Sequence, residues 1–359
     1  VRVVVTGASG NLGTALLRRL VDGHDVVGVA RRPPRGGEPY EGATWHALDL
    51  GDASAASRLR EVVEGADAVV HLAWLFQPSH DTAYLERVGV GGSRAVVQAV
   101  RRAGVPHLVH LSSLGAYSPG PDDRRVDEAW PTGGVSSLAY SRHKVAVERL
   151  LDEVERDEAD RPDDERLRIA RMRPGIVLQG AAGSALLRYG LPAWVPSSVV
   201  RHVPVLPLDR SLVFQAVHTD DVADALVRVL ERRAEGAFNL VADPPVTRDL
   251  IAEVLGARAV HVPYPVVRAA AAAAWQARLQ PLDPGWIDLA FAVPLLEAAR
   301  AREVLGWEPA TDARSALAEA VAAMGAGAGT TSPVLRPRRV LDELARAVRS
   351  APKATRKET

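Results

Sequence analysis

The chain opens VRVVVTGASGNLGTALLRRL over residues 1–20. Val1 to Val5 is a continuous apolar run, the pattern of a strand buried on both faces. Thr6-Gly7-Ala8-Ser9-Gly10-Asn11-Leu12-Gly13 follows with glycines three apart, and Leu12 to Val21 then takes helical spacing. Between a strand and a helix such glycines have separate tasks. Gly7 takes the tight turn, Gly10 lets the backbone approach a pyrophosphate, and Gly13 lets the helix lie close on the strand. The helix start adds unpaired N–H groups and the positive end of the helix dipole. The stretch predicts a dinucleotide site touched by Gly7, Ser9, Gly10, Asn11, Leu12 and Gly13.

Strand-like and helix-like segments alternate beyond the turn. Asp25 to Ala30, Ala68 to Ala73, His107 to Ser112 and Leu167 to Arg173 read as strands. Leu59 to Val63, Glu86 to Arg102 (closed by Gly104) and Leu138 to Glu155 read as helices. The rhythm predicts an α/β fold, a Rossmann-like doubly wound parallel sheet. It breaks after Gly180. Val213 to His218, Asp221 to Arg232 and Ala237 to Val241 read as a strand, helix and strand returning to the sheet, with Asp220 and Asp221 as helix-capping groups. The expected dinucleotide domain is residues 1–180 plus about 213–242. A smaller, mostly helical C-terminal substrate domain takes about 181–212 and 243–324, and 325–359 (opening GAGAGTTSP) reads as a flexible, basic, solvated tail. The charged run Asp152 to Arg168 reads as a solvated helix end and loop.

Composition narrows the chemistry. The 359 residues are 47% hydrophobic and 25% charged with zero formal net charge, so no global field draws the chain to nucleic acid or an anionic membrane. Absence of cysteine excludes disulfides, thiolate catalysis and cysteine metal sites. His71, His110, His143 and His218 are not spaced as metal ligands, and no metal is expected. The alanine-rich stretch Ala269 to Ala274 is bracketed too closely by Arg268 and Arg278 to span a bilayer. A strand at the very start leaves no room for a leader, so a cytoplasmic location is expected. No GxSxG elbow and no basic–aromatic pattern appear.

The second strand ends Val29-Ala30-Arg31-Arg32, without the carboxylate that would bond a ribose 2′-hydroxyl. Two guanidinium groups there suit a 2′-phosphate, so NADP is expected ahead of NAD. Asp49, after the segment TWHAL, is either a partner for the adenine amino group or a turn-capping aspartate. Further along, Tyr140-Ser141-Arg142-His143-Lys144 puts a phenol and an ammonium four apart on one helix face, and Ser113 closes HLVHLS upstream. Carbonyl reduction or alcohol oxidation moves one proton as the hydride moves. A phenol of reference pKa about 10 needs roughly 4 kcal/mol of help to ionise at neutral pH. A neighbouring ammonium and a positive nicotinamide ring favour the anion, and Ser113 can hold the substrate oxygen.

These motifs together resemble the extended short-chain dehydrogenases/reductases, the NAD-dependent epimerase/dehydratase family, over about residues 1–310. TGASGNLG resembles TGxxGxxG, LSSLGAY the serine segment, and YSRHKVAVE the YxxSKxxxE segment. MRPGIVLQG, VHTDDVADAL and AREVLGWEP resemble later family signatures. The resemblance implies catalytic roles for Ser113, Tyr140 and Lys144, with Tyr140 as acid/base and Lys144 also holding the nicotinamide ribose. It implies cofactor contacts at Asp49, Leu50, Leu72, Ala73 and Pro174, and a homodimer through helices 86–102 and 138–155. The sequence departs from the pattern at Gly89, where the family has an asparagine that supports a proton relay. It departs again at Phe214, where nucleotide-sugar epimerases carry an arginine. The crevice beyond the strand ends is expected to be lined by Trp74, Phe76, Ser113, Tyr117, Gly175, Trp194 and Phe214, though Trp194 and Phe214 also read as core of the small domain. So lined, it suits a small apolar carbonyl or hydroxyl compound. The alternatives are a nucleotide-sugar epimerase or dehydratase with retained NAD, and a non-catalytic NADP-sensing binder.

Overall fold

The computed structural model describes residues 1–76, 80–121, 124–163, 165–190, 195–279 and 282–338. Seven strands form the main sheet. They are β1 (Arg2–Thr6), β2 (Asp25–Ala30), β3 (Thr44–Ala47), β4 (Ala68–His71), β5 (His107–Leu111), β6 (Arg168–Pro174) and, much later in the chain, β10 (Gly236–Leu240). Their order is β10-β6-β5-β4-β1-β2-β3, and every pairing is parallel. The order reverses between β1 and β4, which opens a crevice beyond their carboxyl ends. This is the doubly wound Rossmann-like sheet that the sequence predicts.

Alternation along β1 explains the two cores. Val3 and Val5 face one layer and Val4 the other. The first layer holds α1 (Asn11–Leu20), through Leu16 and Leu20, and α7 (Thr219–Arg232), through Val222, Leu226 and Val229. The second holds α2 (Ala55–Val63), α4 (Gly92–Ala103) and α5 (Ala139–Glu158), through Leu59, Val96, Val100, Val147 and Leu151. Between β4 and α4 lie a short helix, α3 (Thr82–Glu86), and a π-turn over Arg87–Gly91.

Helix α5 is also clamped to the sheet by charge. Glu148 is fully buried. It accepts from Ser112 Oγ at 2.5 Å, Arg173 Nε and Nη2 at 2.9 Å each, and Arg171 Nη1 at 3.0 Å. These partners hold its carboxyl down at about 2 against the effect of burial. Arg171 reaches on to Asp152 and Glu155, each at 2.6 Å, so the first part of the charged run 152–168 is tied to β6 while its carboxylates stay open to solvent.

The strand Val213–His218 does not return to the main sheet. That edge of β6 is taken by β10. The chain bends at Gly175, where a Cβ would lie 2.6 Å from the Gln215 carbonyl. It continues as β7 (Ile176–Leu178), and a small sheet forms in the order β11-β9-β7, with β9 (Val213–His218) and β11 (Ala242–Thr247). A two-stranded ribbon pairs β8 (Val205–Leu208) with β12 (Arg258–His261). Helices α6 (Gly183–Gly190), α8 (Arg248–Leu255), α9 (Tyr264–Gln276), α10 (Gly285–Ala292), α11 (Ala299–Leu305) and α12 (Ala313–Ala326) complete the described chain. Asp220 and Asp221 do not cap α7. His218 does, accepting from the Asp220 N–H at 3.2 Å, while Asp221 accepts from the N–H groups of Ala310 and Thr311.

The start of the C-terminal tail is a packed strap. Gly327, at φ 65°, ends α12 and turns the chain back. Ser332 and Leu335 are 0% and 1% exposed. Ser332 Oγ donates to the Ser9 carbonyl at 2.5 Å, and Thr331 Oγ1 donates to the Gly36 carbonyl at 3.3 Å. Thr330 Oγ1 lies 3.2 Å from the Tyr40 hydroxyl, and Leu335 packs among Ala182, Ala185 and Leu186. A glycine-rich composition suggests slack from sequence, but here it permits close approach. A Cβ on Gly329 would lie 2.3 Å from the Leu335 carbonyl. Residues 339–359 lie outside the described residues.

Two stability experiments follow from this packing. Glu148→Ala leaves buried guanidinium charge without its central partner and is expected to lose about 3–5 kcal/mol in urea unfolding. The parent's share from Glu148 is complete above pH about 4.5 and fades as pH falls toward about 2. The variant's stability should therefore vary less across that window, and identical profiles would contradict the clamp. Ending the chain at Gly327 removes a buried leucine and its hydrogen bonds and should cost about 3 kcal/mol. An unmoved urea midpoint would mean that the strap only rests on the surface.

Candidate active site

The glycine turn is built for close backbone approach. Gly7 has φ +74°, and a Cβ there would lie 2.6 Å from the Ala73 nitrogen. A Cβ on Gly13 would lie 2.4 Å from the Gly7 carbonyl. The Gly7 N–H bonds the Val29 carbonyl at 2.8 Å, tying the turn to the end of β2. In the first turn of α1, the N–H groups of Asn11, Leu12 and Gly13 have no helical acceptor. Buried Gln179 donates to Asn11 Oδ1 at 2.5 Å and holds that side chain in place. These donors and this clearance fit a pyrophosphate.

The turn forms one end of a pocket of about 1070 Å³. All the expected cofactor contacts line it: Gly7, Ser9, Gly10, Asn11, Leu12, Gly13, Arg31, Arg32, Asp49, Leu50, Leu72, Ala73, Tyr140, Lys144 and Pro174. Of the expected substrate contacts, Trp74, Phe76, Ser113, Gly175 and Phe214 line it too. Arg31 Nη1 donates to the Tyr84 hydroxyl at 2.7 Å from an exposed position beyond β2. Asp49 Oδ1 accepts from the Gly51 N–H at 2.9 Å, so this carboxylate caps a turn at the pocket wall. Tyr117 is not at the wall. It is 0% exposed, donates to Asn239 Oδ1 at 2.7 Å and accepts from Arg173 at 2.9 Å, because its ring completes the core under β6 and β10. Trp194 lies outside the described residues, as does Gln77, which follows Phe76.

Ser113, Tyr140 and Lys144 converge at the other end. Ser113 follows β5 in extended conformation, and its Oγ accepts from the Gly115 N–H at 3.0 Å. The Ser141 hydroxyl donates to the Gly115 carbonyl at 2.6 Å, pinning the start of α5 to the serine turn. Gly115 must be small here. A Cβ would lie 3.2 Å from Tyr140 Cε1 and 3.4 Å from Ser113 Oγ. One helical turn beyond Tyr140, Lys144 Nζ donates to the Leu111 carbonyl at 2.8 Å and sits 3.7 Å from the centre of the Trp74 ring.

Burial governs both ionisations. It pushes the Tyr140 phenol up to about 12, with the Ser113 hydrogen bond opposing. It lowers the Lys144 ammonium to about 7, with the Glu148 charge opposing. The sequence reading has the ammonium lowering the phenol's pKa. In this structure burial outweighs that help, since Nζ is drawn to Leu111 and Trp74 and lies 5.9 Å from the Tyr140 ring centre.

Beneath Lys144 runs a buried chain. Ser93 Oγ donates to the Gly89 carbonyl at 2.7 Å, so His71 Nε2, 2.9 Å away, carries the proton and donates to Ser93. Nδ1 then accepts from Thr6 Oγ1 at 2.7 Å. Burial lowers His71 to about 3, and the ring is neutral. His71 is a structural link rather than a ligand.

The apolar wall is wider than sequence reasoning finds. Trp275 and Leu279 follow along and beyond α9, Trp286, Leu289 and Val293 along and beyond α10, and Pro333 to Leu335 come from the strap. Phe76, Tyr140 and Trp286 form one aromatic group with ring centres 4.7–5.3 Å apart. A tryptophan closing an alanine-rich helix is a weak signal that could have pointed there. The strap carried none, since its composition reads as solvated linker.

The model of the NAD-dependent epimerase/dehydratase family matches residues 3–240. A protein of Mycobacterium tuberculosis is 28% identical over 324 residues, covering 88% of this chain and 29% of that protein. The chain thus spans about 29% of the length of this relative. The L-arabinose 1-dehydrogenase (NAD(P)(+)) of Haloferax volcanii is 36% identical over 114 residues, 31% of this chain and 41% of that enzyme. The structure of UDP-glucose 4-epimerase from Thermus thermophilus with NAD has a TM-score of 0.66 at 21% identity, covering 90% of this chain and 99% of that one. That likeness is one of fold. With the family model spanning both the glycine turn and the serine–tyrosine–lysine segment, the chain belongs to the NAD-dependent epimerase/dehydratase family.

Proposed function

We propose that this chain is an NADP-preferring oxidoreductase acting on a small, apolar carbonyl or hydroxyl compound. The observation that carries the reading is the change in polarity along one pocket. A glycine turn and two arginines stand at one end. Ser113 and Tyr140 stand at the other, among Phe76, Trp286, Leu289 and Val293. Polar substrate hydroxyls held there without partners would each cost on the order of 1–3 kcal/mol. A hydrocarbon frame with one oxygen meets no such penalty.

A bound nicotinamide supplies or accepts the hydride. The rest belongs to the chain. Ser113 Oγ donates to the substrate oxygen and fixes it beside the Tyr140 hydroxyl. Tyr140 gives its proton to that oxygen on reduction and takes one from it on oxidation. Lys144, when charged, favours the phenolate. Asn11, Leu12 and Gly13 direct backbone N–H groups at the pyrophosphate. Arg31 and Arg32 favour a 2′-phosphate. The domain division around residues 181–212 and 243–324, a homodimer and a cytoplasmic location belong to the same reading.

A second reading, a nucleotide-sugar epimerase with retained NAD, has one observation on its side. Arg188, Arg336 and Arg338 line the same pocket and could face a diphosphate. Identifying the nucleotide released from purified protein separates the two. Exchangeable NADP supports the reductase, and trapped NAD with UDP binding supports the epimerase.

Tyr140→Phe is expected to lower turnover of an apolar ketone or alcohol by about 10²–10⁴-fold while dinucleotide affinity stays within a few fold. Undiminished turnover would remove Tyr140 from its role. Replacing Arg31 and Arg32 together with alanine should weaken NADP binding by about 10–100-fold and leave NAD binding nearly unchanged. Equal losses for both dinucleotides, measured by calorimetry, would overturn the NADP preference.

A further inference from the structure

We infer that Trp74 is a positioning residue for Lys144: its indole face holds the ammonium beside Tyr140, and Gly89 is the residue that makes room for the ring. An ammonium has three N–H donors. One goes to the Leu111 carbonyl at 2.8 Å. A second can meet the Trp74 ring, whose centre is 3.7 Å from Nζ, well inside the range of a cation–π contact. The third remains for a group arriving in the pocket. Trp74 also meets Tyr140 in a T-shaped contact, with ring centres 6.0 Å apart and planes at 85°. One indole therefore touches both groups.

The ring's place depends on what stands opposite. A Cβ on Gly89 would lie 3.2 Å from Trp74 Cζ2 and Cη2. A methyl group is already tight, and a larger side chain must displace the indole. Gly89 itself is fixed in the π-turn Arg87–Gly91, where Ser93 donates to its carbonyl and is in turn held by His71. The contact is thus built from both sides.

The other groups around the ammonium do not replace it. Glu148, on the same helix, also favours the ammonium, but its carboxylate is engaged by Ser112, Arg171 and Arg173 and makes no hydrogen bond to Nζ among the described contacts. His71 from β4 and His110 from β5 are held neutral by burial. Tyr140, one turn back, is held protonated by burial. An aromatic face favours the charged amine and keeps water from it, and it acts where burial leaves the ammonium near half-charged at neutral pH.

The chain's own composition provides the test. Its lysines are Lys144, Lys353 and Lys357, so ¹⁵N-lysine labelling gives a side-chain NMR titration with few signals. In the dinucleotide-free full chain, Trp74→Leu should lower the Lys144 midpoint by about 0.5–1 pH unit. Trp74→Phe should keep at least half of that difference. Gly89→Leu should reproduce the loss with Trp74 intact. Melting curves and dinucleotide binding check that each variant folds. If Trp74→Leu does not fold, the Phe and Gly89 variants carry the decision. An unmoved Lys144 midpoint in folded Trp74→Leu or Gly89→Leu overturns the inference, as does a Phe variant that loses as much as Leu. The kinetic arm rests on the oxidoreductase reading. With Trp74→Leu, the rising limb of kcat for alcohol oxidation should move to higher pH, whatever the change in KM from the altered pocket wall. If the parent chain transfers no hydride on any substrate, that reading fails and the titration still decides the role of Trp74.

Discussion

The buried carboxylate of Glu148 is the constraint on which the site depends. It takes hydrogen bonds from Ser112 at the end of β5 and from Arg171 and Arg173 on β6. One side chain of α5 thereby fixes that helix in register against two strands. Ser113 is the next residue after Ser112. Tyr140 and Lys144 lie on the same helix as Glu148, two turns and one turn earlier. Shifting α5 by one residue would break four charge-assisted bonds in a dry interior, where an unpartnered charge costs several kcal/mol. Convergence of hydroxyl, phenol and ammonium is therefore a consequence of where Glu148 must sit.

What the sequence made legible was local. Glycines three apart between a valine run and a helical pattern need only neighbouring residues to act, and Gly7 and Gly13 stand where no Cβ would fit. Tyr140 and Lys144 share a face because a helix repeats every 3.6 residues. What it hid was distant. Tyr117 follows the serine turn and reads as a pocket residue, but its partner Asn239 stands 122 positions away. Val213–His218 has the pattern of a main-sheet strand, yet β10 already occupies that edge. The caps of α7 look like aspartates until Ala310 and Thr311 claim Asp221. The glycine-rich tail looks solvated until Ser332 meets Ser9 across 323 positions of chain. Each miss is a tertiary partner overriding a sound local preference.

The strap changes how the pocket should be regarded. Through Thr330, Thr331, Ser332 and Leu335 it links the glycine turn, the β2–β3 connection and α6. Those three parts belong to the two halves expected from sequence. A segment that joins them also supplies Pro333, Val334 and Leu335 to the wall of the pocket that the glycine turn lines. The family model ends at residue 240, so this wall is built by a part of the chain beyond the matched region.

Burial pushes the Tyr140 phenol and the Lys144 amine toward their neutral forms, one upward and the other downward. A phenolate alone in this pocket would be penalised, and so would an ammonium alone. Formed together they compensate each other, so the two groups are best treated as one titrating unit. Trp74 biases that unit from the amine side and Ser113 from the phenol side. Modest contacts of this kind have leverage only because desolvation has already brought the charged and neutral states close in energy. In a wet site the same indole would matter little, since bulk water would solvate the ammonium better than a ring does.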